Sequence, residues 1–364
     1  MAGSEKFLHG CPVFRRFVLP GPLIMRKISA MLMALLFMLI LLPHTAGAAE
    51  PQPGGVELLE VRKIWDAGPH NAFTDLIRYK EQWFCAFREA PAHKGGVRDS
   101  KIRVLASNDA KAWTSGAELA DARGDIRDAK LAVLPDGRLT LLTATQLFDQ
   151  SKQTHQSIAF FSSDGRSWEG PLDVGDPSVW LWGIEWHRGV GYSIGYGTGD
   201  KRFVRLYHTR DGVTYEPLVE KLEVDAKFAN ESAILFDKDD AARVLLRCDP
   251  GPAFLGTARP PYTQWTWKQT PRYVGGPALT YAPNGRILGA GRLIDDKKPR
   301  TALFWVDPKS AALDECLTLP SGGDTSYPGL VWEGNTLCVS YYSSHEGKSS
   351  IYLARVRFPS PGTK

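Results

Sequence analysis

The chain of 364 residues is long enough to bury a large hydrophobic core, and it carries a formal net charge of +4. The positive excess is confined to the first 48 residues, because the remaining chain contains 39 basic and 39 acidic residues. A neutral body lacks the basic surface that holds a phosphate backbone, so we expect no nucleic-acid partner.

The N-terminal stretch has the layout of a secretory signal. Arg26 and Lys27 precede an apolar run over residues 28–42, and Ala46-Gly47-Ala48 supplies a small-residue cleavage site. The run is short for a membrane span, so residues 1–48 are predicted to be a cleaved signal segment, with Met25 as an alternative start. We therefore expect an exported protein, periplasmic or secreted, without stable membrane association and with one mature domain over residues 49–364.

Short runs rich in β-branched and aromatic residues, interrupted by Gly, Asp, Asn and Pro, predict an all-β mature chain. Turn-forming segments recur with steps of 56, 52, 50, 46 and 49 residues. Each step accommodates one four-stranded antiparallel sheet, so six units predict a six-bladed β-propeller. The turns lie at residues 80–82, 135–137, 188–189, 239–240, 283–285 and 333–335.

A second repeat consists of Ser or Thr, any residue and Asp, followed by an aromatic residue four positions after the aspartate. It occurs three times, with Asp109 and Trp113, Asp164 and Trp168, and Asp211 and Tyr215. The hydroxyl and carboxylate suit hydrogen bonds from turn amides, and the ring suits a gap between neighbouring sheets. We interpret these turns as structural.

Four cysteines remain after removal of the signal segment: Cys85, Cys248, Cys316 and Cys338. Export permits disulfides, but apolar strand runs around three of these cysteines are equally compatible with buried free thiols. No pairing is assignable, and no Cys/His spacing predicts a zinc site.

In a propeller, the loops that enter the innermost strands converge on one central rim, to which the second strands return. The fourth unit brings Glu231 and Arg247 to this rim from the two ends of one hairpin. Arg88 and Arg292 end the second strands of the first and fifth units, at positions that we interpret as equivalent to that of Arg247. Each arginine alone is compatible with a strand-end ion pair, but three around one axis favour a carboxylate site.

These residues, together with the repeated turns, resemble the sialidase (neuraminidase) superfamily of the bacterial type over essentially the whole mature chain. The resemblance is carried by the three turns, which are Asp-boxes (BNR repeats) in that family, and by the ordered set Glu231, Arg247, Arg292 and Tyr327. It implies an Asp-box six-bladed propeller with a tyrosine nucleophile, a glutamate base, an aspartate acid/base and three arginines around a substrate carboxylate. By position, it implies Tyr327 as nucleophile, Glu231 as its base, and Arg247 and Arg292 as two of the arginines.

The implied chemistry is coherent. A phenol with a pKa near 10 is a weak nucleophile at neutral pH, and an adjacent carboxylate that accepts its proton overcomes this weakness. A neutral attacking group also avoids charge repulsion at an anomeric centre that bears a carboxylate, and sialidases are the known tyrosine exception among glycosidases.

The chain departs from the family pattern at two places. Where the family has its first arginine, this chain reads Ala72-Phe73-Thr74-Asp75, so Arg88 or Arg127 is the expected substitute. For the acid/base role Asp99 is the nearest aspartate, and His93 in the same loop competes because histidine titrates near neutral pH.

Two further residues are candidates for the same rim. Trp182 is placed to stack against a sugar, and Asp128 beside Arg127 is expected to line the site. The combined prediction is an exported, retaining exo-α-sialidase-type hydrolase that acts on a sialic-acid-like or other acidic sugar, without a metal or cofactor. A non-catalytic carbohydrate-binding propeller and a polysaccharide lyase on the same scaffold remain open.

Overall fold

The computed structural model describes residues 55–360, and every regular element in that range is a β-strand. This range contains no helix long and apolar enough to cross a membrane. The predicted signal segment lies outside the described residues. In chain order, the strands are β1 (Glu57–Trp65), β2 (His70–Tyr79), β3 (Gln82–Ala90), β4 (Lys101–Ser107), β5 (Thr114–Leu119), β6 (Gly124–Val133), β7 (Leu139–Leu147), β8 (His155–Ser162), β9 (Glu169–Asp173), β10 (Val179–Leu181), β11 (Glu185–His187), β12 (Val190–Gly197), β13 (Val204–Thr209), β14 (Glu216–Val219), β15 (Ala229–Phe236), β16 (Ala242–Cys248), β17 (Phe254–Ala258), β18 (Trp265–Gln269), β19 (Gly275–Tyr281), β20 (Ile287–Asp295), β21 (Lys298–Val306), β22 (Leu313–Thr318), β23 (Thr325–Glu333), β24 (Thr336–Ser343) and β25 (Ser350–Arg357).

The strands form six antiparallel sheets, which confirms the predicted six-bladed β-propeller. Blade one contains β2–β5, blade two β6–β9, blade three β10–β14, blade four β15–β18, blade five β19–β22, and blade six β23–β25 with β1. In blade three the inner strand is divided into β10 and β11, which both pair with β12. All six predicted turns join the first strand of a blade to the second; in blade two, for example, Val133 pairs with Leu139.

The N-terminal strand closes the ring. Strand β1 pairs antiparallel with β25 as the outermost strand of blade six, so one blade is assembled from the two ends of the described chain. Such a closure ties the first blade to the last and leaves no separate end blade that exposes its apolar face.

The hydrophobic core lies between neighbouring blades. Leu288 and Leu303 of blade five pack with Tyr341 and Ala354 of blade six, and equivalent clusters occupy the other interfaces. Because each sheet is covered on both faces by its neighbours, its middle strands are almost continuously buried, as in β3.

The three Ser/Thr-x-Asp turns bond as predicted. In each turn, one aspartate oxygen accepts two backbone N–H bonds at 2.8–2.9 Å, and the side chain of the Ser or Thr donates to the same aspartate. In the second turn, Gly165 has φ +74°, and an added Cβ would lie 2.3 Å from the ring of Phe84 in blade one. The turn therefore also seals one blade against its neighbour, and only glycine permits this close approach.

All four cysteines of the described residues are buried free thiols. Their burial raises the pKa of each thiol, to about 11 for Cys338 and about 12 for Cys248 and Cys316. Protonated, enclosed thiols pack as small apolar groups and are poor nucleophiles.

Candidate active site

Five of the six inner strands contain a β-bulge at the same end. At each bulge two residues of the inner strand oppose one residue of the second strand, with register shifts at Ala72/Asp75, Arg127/Lys130, Ala229/Ser232, Gly275/Ala278 and Ser326/Gly329. Four bulge residues have positive φ angles: Phe73 (62°), Asp128 (53°), Gly276 (56°) and Tyr327 (54°). Positive φ in a non-glycine residue costs about 1–3 kcal/mol and is tolerated where it re-aims a functional side chain.

The central feature of the rim is a hydrogen-bonded pair from blades four and six. The Tyr327 hydroxyl donates to Glu231 Oε1 at 2.5 Å, and both side chains are buried. Arg247 Nη1 donates to the same carboxylate oxygen at 2.6 Å and to the tyrosine oxygen at 3.1 Å. The backbone N–H of Gly276 donates to Glu231 Oε2 at 2.8 Å. Both carboxylate oxygens are therefore held, and one of them faces the phenol.

The charges around this pair decide where its proton lies. Burial acts to raise the pKa of Glu231, but the charge and hydrogen bond of Arg247 outweigh it and keep that pKa below its usual value. Burial and the Glu231 charge together raise the pKa of Tyr327 well above 10. At neutral pH the tyrosine thus keeps its proton, and the glutamate is a carboxylate positioned to accept it.

Asp249 holds the Arg247 guanidinium in place. Its Nη2 donates to Asp249 Oδ1 at 3.3 Å, and Asn230 Nδ2 donates to the other oxygen of Asp249 at 2.8 Å. The predicted equivalence of Arg247 with Arg88 and Arg292 is wrong by one residue. Arg88 and Arg292 pair with Ala72 and Gly275, which precede the bulges, whereas Arg247 opposes the bulge itself.

Arg292 forms a second group of contacts next to the tyrosine. Its Nε donates to the Thr325 carbonyl at 2.8 Å, and its Nη2 donates to the Tyr342 hydroxyl at 2.8 Å. Its guanidinium carbon lies 5.4 Å from the centre of the Tyr327 ring. The guanidinium is thus held in place against the face of the phenol ring.

The Asp324 carboxylate contacts four hydrogen-bond donors, two of which belong to residues that line the pocket. Its Oδ2 contacts His93 Nδ1 at 2.6 Å and His70 Nε2 at 3.1 Å, while its Oδ1 accepts bonds from Tyr342 at 2.7 Å and Arg292 at 3.4 Å. Burial acts to raise the pKa of Asp324, but hydrogen bonds from the two histidines and Tyr342 outweigh it, so the pKa lies well below its usual range.

The two histidines and Asp324 are also a possible ligand set for a metal ion, since one ligand atom of each lies within 4.8 Å of the others. Two ligands of a tetrahedral zinc, each about 2.0–2.1 Å from the ion, lie about 3.3 Å apart. The 2.6 Å separation between His93 and Asp324 is shorter and matches a charge-assisted hydrogen bond. The geometry favours a proton between these atoms.

These groups border a cavity of about 230 Å³, which is small compared with pockets for drug-sized ligands. Its lining comprises Phe73, His93, Arg127, Asp128, Gln146, His155, Trp180, Trp182, Tyr196, Glu231, Arg247, Arg292 and Tyr327. Such a volume suits one sugar unit rather than an extended oligosaccharide.

Asp128 and Arg127 lie together in this lining, as the sequence predicted. The Arg127 Nε lies 3.7 Å from Asp128 Oδ2, and its guanidinium carbon lies 5.2 Å from the centre of the Phe73 ring. Burial raises the pKa of Asp128 to about 6, and the Arg127 charge limits the rise. The pocket therefore contains a carboxyl group that titrates near neutral pH.

Aromatic rings form the wall from blade three. The Trp182 ring centre lies 6.2 Å from that of Tyr327, and Trp180 stacks on Tyr196 at 5.9 Å. Within the described structure, the buried indole N–H groups of both tryptophans lack a hydrogen-bond partner. Both rings are almost completely buried, so the wall is an apolar, aromatic boundary on the blade-three side of the nucleophile.

Two predicted residues do not line the cavity. Arg88 is completely buried, with Nη2 donating to both oxygens of Asp125 at 2.9 and 3.0 Å and Nη1 donating to the Ala92 carbonyl. Asp99 is exposed in the loop after β3, and it forms no hydrogen bond or ion pair with any residue in the described range. The cation expected from Arg88 is thus neutralised beneath the rim, and Asp99 lies outside the pocket.

Three further residues line the cavity without having been predicted from the sequence: Gln146, His155 and Tyr196. Gln146 is the penultimate residue of β7 and His155 begins β8, so both lie at the rim beside the loop between the second and third strands of blade two. Burial and the nearby Arg127 charge lower the pKa of His155 to about 4, so this ring is neutral at pH 7. Inspection of the third strand in each unit, besides the first two, would have identified His155.

A larger concavity lies elsewhere, at the hairpin-turn ends of blades four and five. It measures about 830 Å³ and includes Arg243, Arg286 and Trp305 in its lining. Arg286 covers the Trp305 ring at 4.1 Å, so this face is unavailable to a ligand. Its one lining tyrosine, Tyr281, has no hydrogen bond to a carboxylate in the described structure, whereas Tyr327 in the central cavity is bonded to Glu231. This difference favours the smaller central cavity as the reactive site.

No protein-family model and no curated protein matches the chain. Among solved structures, it is similar to a protein of unknown function from Dyadobacter fermentans, with TM-score 0.75, 20% identity, and coverage of 84% of this chain and 100% of that one. It is also similar to a mutant α-L-arabinofuranosidase from Fusarium graminearum in complex with an iminosugar inhibitor (TM-score 0.65, 14% identity, 82% and 98% coverage). A Trypanosoma rangeli sialidase in complex with difluorosialic acid, described as a covalent intermediate, matches with TM-score 0.62, 12% identity, and 80% and 54% coverage.

At these identities the likeness shows a shared fold. The chain has the six-bladed propeller architecture on which glycoside hydrolases of two different sugar specificities are built. The choice between specificities depends on the pocket.

Proposed function

We propose that this protein is an exported, retaining glycoside hydrolase of the sialidase type that acts on an acidic sugar glycoside. Tyr327 is the nucleophile, and Glu231 is the base that takes its proton. The observation that carries the proposal is the 2.5 Å hydrogen bond from the Tyr327 hydroxyl to Glu231 Oε1 inside a pocket of monosaccharide size. A tyrosine with a raised pKa attacks only if a carboxylate accepts its proton as the new bond forms.

The proposed preference for an acidic sugar rests on the arginine side chains that line the cavity. Arg127, Arg247 and Arg292 all line the cavity, and guanidinium groups match a carboxylate in two-point contacts. Arg247 and Arg292 flank the nucleophile, so a carboxylate held by them would bring the adjoining anomeric carbon to the Tyr327 oxygen.

A neutral sugar is the second candidate, because each of these arginines already has an internal carboxylate. Arg247 pairs with Glu231, Arg292 with Asp324, and Arg127 with Asp128. Such pairs reduce the gain from binding an external anion. A propeller arabinofuranosidase among the similar structures provides a chemical precedent for a neutral substrate on this architecture.

The test compares two fluorogenic substrates, methylumbelliferyl α-sialoside and methylumbelliferyl α-L-arabinofuranoside, with the mature chain beginning at Ala49. Tyr327→Phe and Glu231→Gln are the diagnostic variants, and we expect each to lower kcat by about 10³-fold or more. Retention of configuration is followed by NMR of the first-formed sugar. Proteolytic resistance and denaturation midpoints confirm that each variant is folded.

Other outcomes assign other functions. Sugar binding without turnover by the folded wild type would identify a carbohydrate-binding propeller. An ultraviolet-absorbing unsaturated uronate, formed from an acidic polysaccharide, would identify a lyase. Full activity in Tyr327→Phe would disprove the nucleophile assignment. N-terminal sequencing of the exported protein tests cleavage after Ala48.

A further inference from the structure

His93 lies beside Phe73, on the side of the pocket where this chain lacks the first arginine of the sialidase pattern. It lies in the loop between β3 and β4, its side chain is 53% exposed, and its Nδ1 lies 2.6 Å from Asp324 Oδ2. Its second ring nitrogen, Nε2, makes no hydrogen bond to any residue in the described range. A carboxylate on one imidazole nitrogen fixes the ring and its tautomer, which leaves the other nitrogen available for proton transfer.

The loop that carries His93 is anchored from below by the buried pair of Arg88 and Asp125. Arg88 donates to the Ala92 carbonyl at 2.9 Å, and Asp125 accepts the Gly96 backbone N–H at 2.9 Å. These bonds bracket His93 on both sides. The arginine that was expected to bind substrate instead helps to hold the loop, so the exposed imidazole is carried on a supported backbone.

His93 and the nucleophile flank the same aromatic ring. The Phe73 ring centre lies 5.5 Å from that of His93 and 4.9 Å from that of Tyr327. Tyr327 is buried in the floor, whereas His93 lies at the rim and is half exposed. The leaving group of an exo-acting glycosidase extends towards solvent, so its oxygen lies on the side of His93.

We propose that His93, oriented by Asp324, is the general acid/base of the hydrolase; this inference rests on the proposed function. In the first step, Tyr327 Oη bonds to the anomeric carbon and its proton passes to Glu231. The bond to the leaving oxygen breaks with its electron pair, and that oxygen takes a proton from imidazolium Nε2 of His93.

In the second step, water attacks the anomeric carbon and gives a proton to Nε2 of His93. The bond between the sugar and Tyr327 breaks with its electron pair on the tyrosine oxygen, which recovers its proton from Glu231. The sum is hydrolysis with retained configuration, and every side chain returns to its initial protonation state.

Two carboxyl groups are rivals for this role. Asp99 lies outside the cavity lining, so it contacts a leaving group only after a rearrangement of its loop. Asp128 lines the cavity but is 93% buried beside Arg127, on the inner strand of blade two. This places it among the groups that hold the sugar, away from the solvent side where the leaving group departs.

The experiment varies the leaving group in wild type and His93→Gln. Gln retains a donor for Asp324 but cannot relay a proton. The substrates contain whichever sugar the wild type hydrolyses. One is its dinitrophenyl glycoside, whose leaving group departs without protonation. The other is sialyllactose or arabinobiose, whose leaving group needs a proton from an acid. We expect kcat/KM to fall about 10²–10⁴-fold for the oligosaccharide and less than about tenfold for the dinitrophenyl glycoside. With the dinitrophenyl glycoside, azide should restore kcat of His93→Gln and yield a glycosyl azide, because azide attacks the sugar–tyrosine intermediate without the help of a base.

Lys94→Ala, an exposed neighbour in the same loop, is the matched control and should resemble the wild type on both substrates. Equal losses on both substrates in His93→Gln, without azide rescue, would overturn the assignment while leaving the hydrolase function intact. The assignment of His93 would also be overturned if Asp99→Asn or Asp128→Asn, and not His93→Gln, lost activity on the oligosaccharide but kept it on the dinitrophenyl glycoside. Loss of wild-type activity on treatment with a chelator would indicate that a metal ion, and not a proton, lies between His93 and Asp324. An inactive wild type would remove both the function and this inference.

Discussion

The two sides of the pocket rim use their charged residues differently. On the side formed by blades four and six, Glu231, Arg247 and Tyr327 bond to one another at 2.5–3.1 Å and face the cavity. On the side formed by blade one, Arg88 is withdrawn into a buried pair and His93 stands at the rim. The first side therefore offers a nucleophile with its base, and the second offers an exposed imidazole, a side chain that can donate or accept a proton.

Arg88 and Arg292 make the comparison quantitative. Both lie opposite the residue that precedes a bulge, yet the side chain of Arg88 is 0% exposed and that of Arg292 is 16% exposed. The difference comes from the next blade: Asp125 meets Arg88 in the interface, whereas Asp324 meets Arg292 at the edge of the cavity. A cation at a strand end thus acquires its role from the neighbouring sheet.

Arg88→Met tests this difference most strongly. Removal of one partner leaves the Asp125 carboxylate buried and unpaired, and we expect the free energy of unfolding to fall by about 3–5 kcal/mol. Chemical denaturation measures this loss. In the matched variant Arg292→Met, we expect the main effect on KM, with a rise of about tenfold for an acidic substrate. A stable Arg88→Met protein with only a raised KM would contradict the comparison.

Gly276→Ala tests the catalytic side alone. An added Cβ would lie 2.7 Å from the Tyr327 ring, and the residue has φ +56°. Displacement of the nucleophile relative to Glu231 should lower kcat by about 10²-fold. Gly285→Ala is the matched control: it also has positive φ, +78°, but no atom lies within 4 Å of its added Cβ. Equal activity losses in the two variants would indicate backbone strain rather than nucleophile displacement.

The pH dependence of KM separates the two candidate sugars and is the smallest predicted effect. Asp128, whose pKa burial raises to about 6, is neutral below that pH and ionised above it. Its ionisation adds a negative charge beside Arg127, so KM for an acidic sugar should rise by about three- to tenfold between pH 5 and pH 7.

For a neutral sugar, KM should stay nearly constant over the same range. Asp128→Asn should flatten the profile of the acidic sugar, because its side chain does not ionise. Steady-state kinetics at constant ionic strength measure both cases. A profile for the acidic sugar that is unchanged by Asp128→Asn would exclude Asp128 as the titrating group.

Much of the fold follows from local pattern. The six turns join consecutive strands, so each is specified by residues close in sequence, and all six lie where the 46–56-residue steps predict. The pairing of Glu231 with Arg247 was also predictable, since both belong to one hairpin. Tyr327 lies 96 residues from Glu231, and its place in this pair was inferred from the family resemblance, then found at 2.5 Å.

Other parts of the site depend on contacts that no local pattern encodes. The bond between His93 and Asp324 joins residues 231 apart in sequence, so the loop after β3 alone did not distinguish His93 from Asp99. The bulge offset of Arg247 relative to Arg88 and Arg292 changes the pairing register by one residue, and a one-residue change reverses the face of a strand.

By itself, the sequence determined the number of blades, the structural turns and the hairpin that presents Glu231 and Arg247, because these arise from turn chemistry and strand alternation within about 50 residues. Only the tertiary structure decided that Arg88 is buried, that His93 bonds to Asp324 and that burial raises the pKa of Asp128 to about 6. The reason is physical: burial and charge pairing of a side chain are properties of the packed ring, in which each blade supplies the partners of the next.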